Sequence, residues 1–276
     1  MKKVILDTDL GCDSDDIGAV VILNQFYNQK KVLPLCITSV NSNIEPALFI
    51  EQINKYYGND ILVGMNKSND YGINNGYSVD VCEKYNISRD KYIPSSDDVL
   101  KEVLDKQSEA IELITIGPLT NISSFIKVYG ADLLNEKVSV MYLMAGNFVS
   151  ENPEWNITED IAAMQHVLSE YKGKMVFVPF EIGEDVFTAR NLLASDTMMG
   201  YGYYVHNKGP RQSWDPITVY YALTLSEEFK LSNKGTVSCS DSGVTTFKEG
   251  EGNHYYMLNN FDKVKVEQLL EELMVS

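Results

Sequence analysis

Through its first 183 residues the chain alternates short apolar runs with segments of helical periodicity. "KVILD" (3–7) is followed by "DDIGAVVILNQFYNQ" (15–29), and "VLPLCITSV" (32–40) by "NIEPALFIEQINKYYG" (43–58). "ILVGM" (61–65) precedes "DDVLKEVLDKQ" (97–107), and "IELITIG" (111–117) precedes "PLTNISSFIKVYG" (118–130), with Pro118 expected in the first turn and Gly130 past the end. "KVSVMYLMAG" (137–146), "EDIAAMQHVLSEYKG" (159–173) and "KMVFVPFEIG" (174–183) continue the rhythm as strand, helix and strand. Strands that run parallel need a crossover between them, and a helix supplies it. The alternation therefore predicts an α/β chain, an open and mostly parallel sheet with helices on both faces. After about residue 190 the pattern changes. "WDPITVYYALTLSEEF" (214–229) reads as a helix, "TVSCSD" and "HYYMLN" as short strands, and "VKVEQLLEELM" (264–274) as a closing helix. The stretch 64–95 is polar and irregular, and reads as a lid or a surface excursion. No repeat or Pro/Gly/Ser linker divides the 276 residues, so one domain (1–276) is expected.

The net charge is −16. Such a chain offers no basic face to nucleic acid or to an anionic membrane. Its N-terminal apolar run, Val4 to Leu6, is far shorter than the roughly 7–15 residues of a secretory core. Cys12, Cys36, Cys82 and Cys239 form no C-x-x-C pair, which fits reduced thiols in a cytoplasmic protein.

The first strand ends in "DTDLGCDSDD", which places Asp7, Asp9, Asp13, Asp15 and Asp16 within ten residues. One or two of these are explained as helix caps and by the dipole of the helix that follows. Five are not, because like charges so close repel. A bound cation relieves that repulsion, and an all-oxygen donor set favours Ca²⁺ or Mg²⁺. In open α/β sheets ligands bind at the carboxyl ends of strands, where these residues lie.

Two metal-dependent families share such an opening. A haloacid-dehalogenase-like phosphatase would use Asp7 as nucleophile and Asp9 as acid and base with Mg²⁺, but its downstream G-D-x-x-x-D-like motif is missing. The chain more closely resembles the inosine–uridine preferring nucleoside hydrolases, whose D-T-D-P-G-x-D-D precedes an apolar helix. Here leucine replaces the proline and two extra residues precede the Asp pair. Downstream, "ITSVNSNIEPA" is similar to T-T-V-x-G-N, "TIGPLTNIS" to A-T-G-P-L-T-N, and "MAGNFVSENPEWNITEDIAA" to M-G-G…E-[FW]-N…D-x-x-A-A. "SWDPITVYYAL" matches the helix that carries the last metal aspartate.

The resemblance implies a Rossmann-like sheet and Ca²⁺-dependent hydrolysis of ribonucleosides to ribose and free base. It implies a metal set of Asp9, Asp16, the Ile116 carbonyl and Asp215, with Asp9 also the general base for water. It assigns Asp15 to the 2′-hydroxyl, Asn156 and Glu154 to the 3′ and 5′ hydroxyls, and Asn43 to the substrate side. Asn147 and Asn152 are candidates for a further sugar contact. Trp214 stands where many members carry a histidine that protonates the leaving base, and it is expected to stack on the base. His206, in the aromatic run "GYGYYVHNKGP", is the remaining candidate acid, and Tyr201, Tyr203 and Tyr204 stack or fill the core. His166 and His254 read as structural, Asp160 as a helix cap, and Cys12 as a space-filler. Asp13 is left for a supporting role, and Asp7 for hydrogen bonds to the loop. The resemblance also implies a homodimer or homotetramer acting on a small nucleoside. The last alternative is a relative that binds ribosides with little turnover.

Overall fold

The computed structural model describes residues 1–68 and 76–275; within the 64–95 stretch, residues 69–75 lie outside the described residues. In chain order the first half contains β1 (Lys2–Thr8), α1 (Asp15–Asn28), β2 (Val32–Ser39), α2 (Ile44–Tyr56), β3 (Val63–Met65), α3 (Gly76–Lys84), α4 (Ser96–Asp105), β4 (Ile111–Thr115), α5 (Thr120–Tyr129), α6 (Asp132–Lys137) and β5 (Val138–Met144). The second half contains α7 (Trp155–Glu159), α8 (Ile161–Glu170), β6 (Lys174–Val178), α9 (Phe180–Gly183), β7 (Phe187–Thr188), α10 (Arg190–Leu193), α11 (Met198–Asn207), β8 (Arg211–Gln212) and α12 (Trp214–Thr224). It closes with β9 (Lys230–Leu231), β10 (Gly235–Cys239), β11 (Thr245–Glu249), β12 (His254–Leu258) and α13 (Lys263–Val275).

The main sheet runs β11-β10-β12-β6-β5-β4-β1-β2-β3, with β9 paired to β12. Strands β1 to β6 pair in parallel, and β12 joins β6 in parallel as well. Only the far edge, β9 to β11, pairs antiparallel. Alternation along β1 shows why both faces are covered. Val4 and Leu6 point into one apolar cluster with α1, α2 and α12, while Ile5 points into the other with α4, α5 and α8. A strand buried on both faces is apolar at every position, which is why this run has no polar alternation. Strand order reverses between β1 and β4, and a crevice opens there at the strand ends.

The sequence-based expectations depart from the structure in identifiable ways. "KMVFVPFEIG" is not one strand: β6 stops at Val178, Pro179 has no N–H for the ladder, and α9 begins. The helix from Trp214 ends at Thr224, where Leu225 turns left-handed with φ 51°. Pro118 lies two residues before α5 rather than in its first turn. Helices α3, α6, α7, α10 and α11, and strand β11, were not anticipated. Among the described residues no helix is long and apolar enough to cross a membrane.

Gly117, just past β4, marks how closely the two central strand ends approach. A Cβ there would lie 2.8 Å from Asp9 Oδ1 and 2.9 Å from the Asp9 backbone nitrogen. Backbone cannot move aside as a flexible side chain can. Gly117→Ala is therefore expected to lower unfolding stability by about 1–3 kcal/mol, read from the urea midpoint.

Candidate active site

The site grows from the ends of β1 and β4. Ile116 N–H donates to the Asp7 carbonyl (2.9 Å), so Asp9 and the Ile116 carbonyl leave the sheet side by side. The chain then turns at Gly11, whose φ of +115° disfavours a side chain. Two outside groups hold this loop. Tyr77 of α3 accepts from Gly11 N–H (3.1 Å) and donates to the Asp13 carbonyl (2.8 Å). Asn41 donates to the Leu10 carbonyl (3.3 Å).

Helix α1 starts at Asp15, so Asp15 and Asp16 occupy its first turn. Asp215 occupies the first turn of α12, and its N–H donates to Asp15 Oδ2 (3.0 Å). One carboxylate oxygen from each of Asp15, Asp16 and Asp215 lies within 4.8 Å of the others, all in buried residues. Burial first, and mutual repulsion with Asp9 and Asp13 second, pushes all three well above the usual carboxylate range. Thr8 donates to Asp16 Oδ1, but Asp16 Oδ2 is buried with no hydrogen-bond partner. Crowded, desolvated carboxylates with an orphaned oxygen fit a divalent cation; they do not fit an anionic occupant.

This cluster floors a cavity of 360 Å³, which Asp9 and Ile116 also line. On one side stand Glu154 and Asn156. Glu154 caps α7, taking Asn156 N–H (2.7 Å) and Ile157 N–H (3.3 Å), and burial pushes its carboxyl up to about 8. The Asn156 amide donates to the Ile116 carbonyl (3.3 Å) and the Met144 carbonyl (3.1 Å), tying this wall to the ends of β4 and β5.

Another part of the lining is aromatic and basic. Trp214 stacks on Phe180 with ring centroids 5.5 Å apart, and its indole N–H donates to the Phe180 carbonyl (2.7 Å). The Arg211 guanidinium lies 5.3 Å from the Trp214 ring. Arg211 also grips Asp13, with Nε donating at 2.8 Å. His206 sits 3.1 Å from Ser14 Oγ, and burial holds it below the usual imidazole range.

The family model for inosine-uridine preferring nucleoside hydrolases matches residues 4–268, nearly the whole chain. The chain belongs to this family. Its members are enzymes that cleave N-ribosyl bonds, and they depend on a metal. Solved structures agree in fold. An inosine-uridine preferring nucleoside hydrolase from Bacillus anthracis superposes with a TM-score of 0.78 at 16% identity, covering 99% of each chain. A plant nucleoside hydrolase gives 0.79 at 18%, over 100% of this chain and 99% of that one. A purine-preferring ribonucleoside hydrolase from Gardnerella vaginalis gives 0.76 at 15%, over 99% and 98%. No curated protein matches the chain.

Within this nucleoside hydrolase, Asp9, Asp15, Asp16, Ile116, Glu154, Asn156, Trp214 and Asp215 all line one cavity. Three asparagines named from the sequence do not. Asn43 sits half-buried at the start of α2 and is absent from the lining; Asn41, two residues earlier, reaches the acidic loop instead. Asn147 spends its side-chain oxygen on Val149 N–H (3.2 Å) and Ser150 N–H (3.1 Å), and lines a neighbouring surface hollow. Asn152 is exposed. Asp15, expected on the sugar, stands inside the tight carboxylate cluster, while Asp9 lies beside that cluster.

Asp7 bonds β2 and α5 rather than the loop: it accepts from Thr38 Oγ1 (2.5 Å) and Asn121 Nδ2 (2.7 Å). Fully buried and outside the cavity, it offers no nucleophile to a phosphate ester. Tyr203 is core, Tyr201 packs on Tyr85, and Tyr204 is exposed, so none of them faces the cavity. His166 bonds Ser123 on α5, His254 accepts from Val237 N–H, and Asp160 caps α8. Arg211, Phe180 and Trp155 line the cavity and were not singled out from the sequence. Only Trp155 had a signal, lying between Glu154 and Asn156.

Tyr77→Phe removes both of the bonds that Tyr77 makes to the acidic loop. It is expected to lower stability by about 1–3 kcal/mol in urea unfolding, with the far-UV spectrum unchanged.

Proposed function

We propose that the chain is a Ca²⁺-dependent ribonucleoside hydrolase in which Asp9 takes the proton from the attacking water. The observation that carries this reading is the buried Asp15–Asp16–Asp215 cluster, with its orphaned Asp16 oxygen, at the floor of a cavity that also contains Asp9. Asp16, Asp215, the Ile116 carbonyl and Asp9 would hold the ion. Ca²⁺ accepts six to eight oxygens in flexible geometry, which suits carboxylates arriving from two helices and a strand end better than the octahedron Mg²⁺ demands. When bound, the cation supplies water activation and a hold on a vicinal diol.

The chain's own residues do the rest. Asp9 accepts a proton from water approaching the anomeric carbon. Asp15 accepts from the 2′-hydroxyl, Asn156 meets the 3′ and Glu154 the 5′-hydroxyl. Holding the sugar this way makes attack effectively unimolecular. Trp214 bounds the space left for the base. Asn43 and Asn147 do not line the cavity and are given no role in this reading. The four unpaired cysteines, two of them fully buried, support a cytoplasmic setting. The family resemblance supports a homodimer or homotetramer.

The test is ribose release from inosine, uridine, adenosine and cytidine, with added Ca²⁺ and with a chelator. Release is expected with Ca²⁺, lost with chelator, and reduced by about 10²-fold or more in Asp9→Asn. No release from any nucleoside at high protein concentration would contradict the reading. Tight riboside binding without turnover would instead support a binding protein.

A further inference from the structure

Six carboxylates line the cavity: Asp9, Asp13, Asp15, Asp16, Glu154 and Asp215. Arg211 is the one permanent cation among the described lining residues. The reaction sets a problem for so acidic a site. As the bond from the anomeric carbon to the base nitrogen breaks, its electron pair stays on the nitrogen, and the base departs with growing negative charge. Carboxylates around it oppose that departure, and Trp214, standing in the histidine position, has no acidic proton to give.

Arg211 is placed and prepared for this charge. Asp13 binds its Nε and one terminal nitrogen, and Gln212 Oε1 takes the other at 2.9 Å. Of the five N–H donors of a guanidinium, three are used by these partners, which leaves one on each terminal nitrogen. The guanidinium is half-buried and lies over Trp214, so its orientation is fixed from a second side. Arg211 lines the same cavity as Glu154 and Asn156, the residues assigned above to the sugar. Asp13 and Ser14 are the two residues by which the acidic loop exceeds the family motif, and they hold Arg211 and His206 respectively.

We propose that Arg211, oriented by Asp13 and Trp214, stabilises the departing base as its negative charge develops. The inference rests on the nucleoside hydrolase reading above. In the balanced step, water oxygen bonds the anomeric carbon, its proton goes to Asp9, the C–N bond breaks with both electrons on the base, and solvent protonates the released base. Arg211 transfers no proton. It offers two remaining N–H donors and a fixed positive charge in the cavity where the base's negative charge develops. The inserted Asp13 is then a positioning residue for the leaving-group side of the cavity.

The test compares leaving groups. p-Nitrophenyl β-D-riboside releases a phenolate that is stable without help, whereas inosine and uridine do not. Arg211→Gln is expected to lower kcat/KM on inosine and uridine about 100-fold, while changing it less than about five-fold on p-nitrophenyl riboside. Arg211→Lys, which keeps the charge but not the planar fork, is expected to regain about ten-fold of the loss on the nucleosides. Equal loss on all three substrates in both variants would show that Arg211 only clamps Asp13, and no loss on any would show that it is uninvolved; either result overturns the proposal. Wild-type protein inactive on the phenyl riboside and on the nucleosides would remove the hydrolase reading itself, and the inference with it.

Discussion

Repulsion among buried carboxylates at the end of the central strand organises this molecule. Asp15, Asp16 and Asp215 come from the first turns of two helices, yet their oxygens meet within 4.8 Å. No folded chain gathers desolvated like charges without something to hold them in place. Helix N-termini contribute part of the compensation, through N–H groups such as that of Asp215 on Asp15. The neighbouring elements contribute the rest. Gly117 has no side chain because Asp9 needs its space, and Tyr77 and Asn41 fasten the loop that carries the acids. Stability has been traded here for a site that is complete only with its ligands.

The cavity is asymmetric, and the asymmetry is chemical. Its floor is acidic and suits a cation and hydroxyl groups. Glu154 and Asn156 form a polar side anchored to β4 and β5 through carbonyls. The other side, formed by Phe180, Trp214 and Arg211, is flat, apolar and cationic. A ribonucleoside has the same division, a polyhydroxyl ring joined to a flat base. The half-exposed Trp155 stands between the polar side and solvent.

What could be read in advance followed physical rules of short range. A strand buried on both faces must be apolar throughout, so β1, β4 and β5 were visible as runs. Five aspartates beyond such a run pointed to a cation, and a motif match placed Asp215, some 200 residues away, beside two of them, Asp15 and Asp16. What escaped depended on long-range geometry. Arg211 is an ordinary arginine in "GPRQSW"; only the meeting of β8 with the acidic loop pairs it with Asp13. Asn43 and Asn147 matched or neighboured motifs, yet neither lines the cavity, and a local turn takes the Asn147 side-chain oxygen. Helix α11 was hidden because its glycines and tyrosines lack a clean apolar stripe, although Gly202 is needed for close approach to Ile17 of α1.

Calorimetric titration of Ca²⁺ into chelator-stripped protein tests the proposed cation site most directly. One ion is expected per chain, with binding abolished in Asp16→Asn and in Asp215→Asn while both variants remain folded. Absence of Ca²⁺ binding by the wild-type protein, or binding unchanged in both variants, would contradict it.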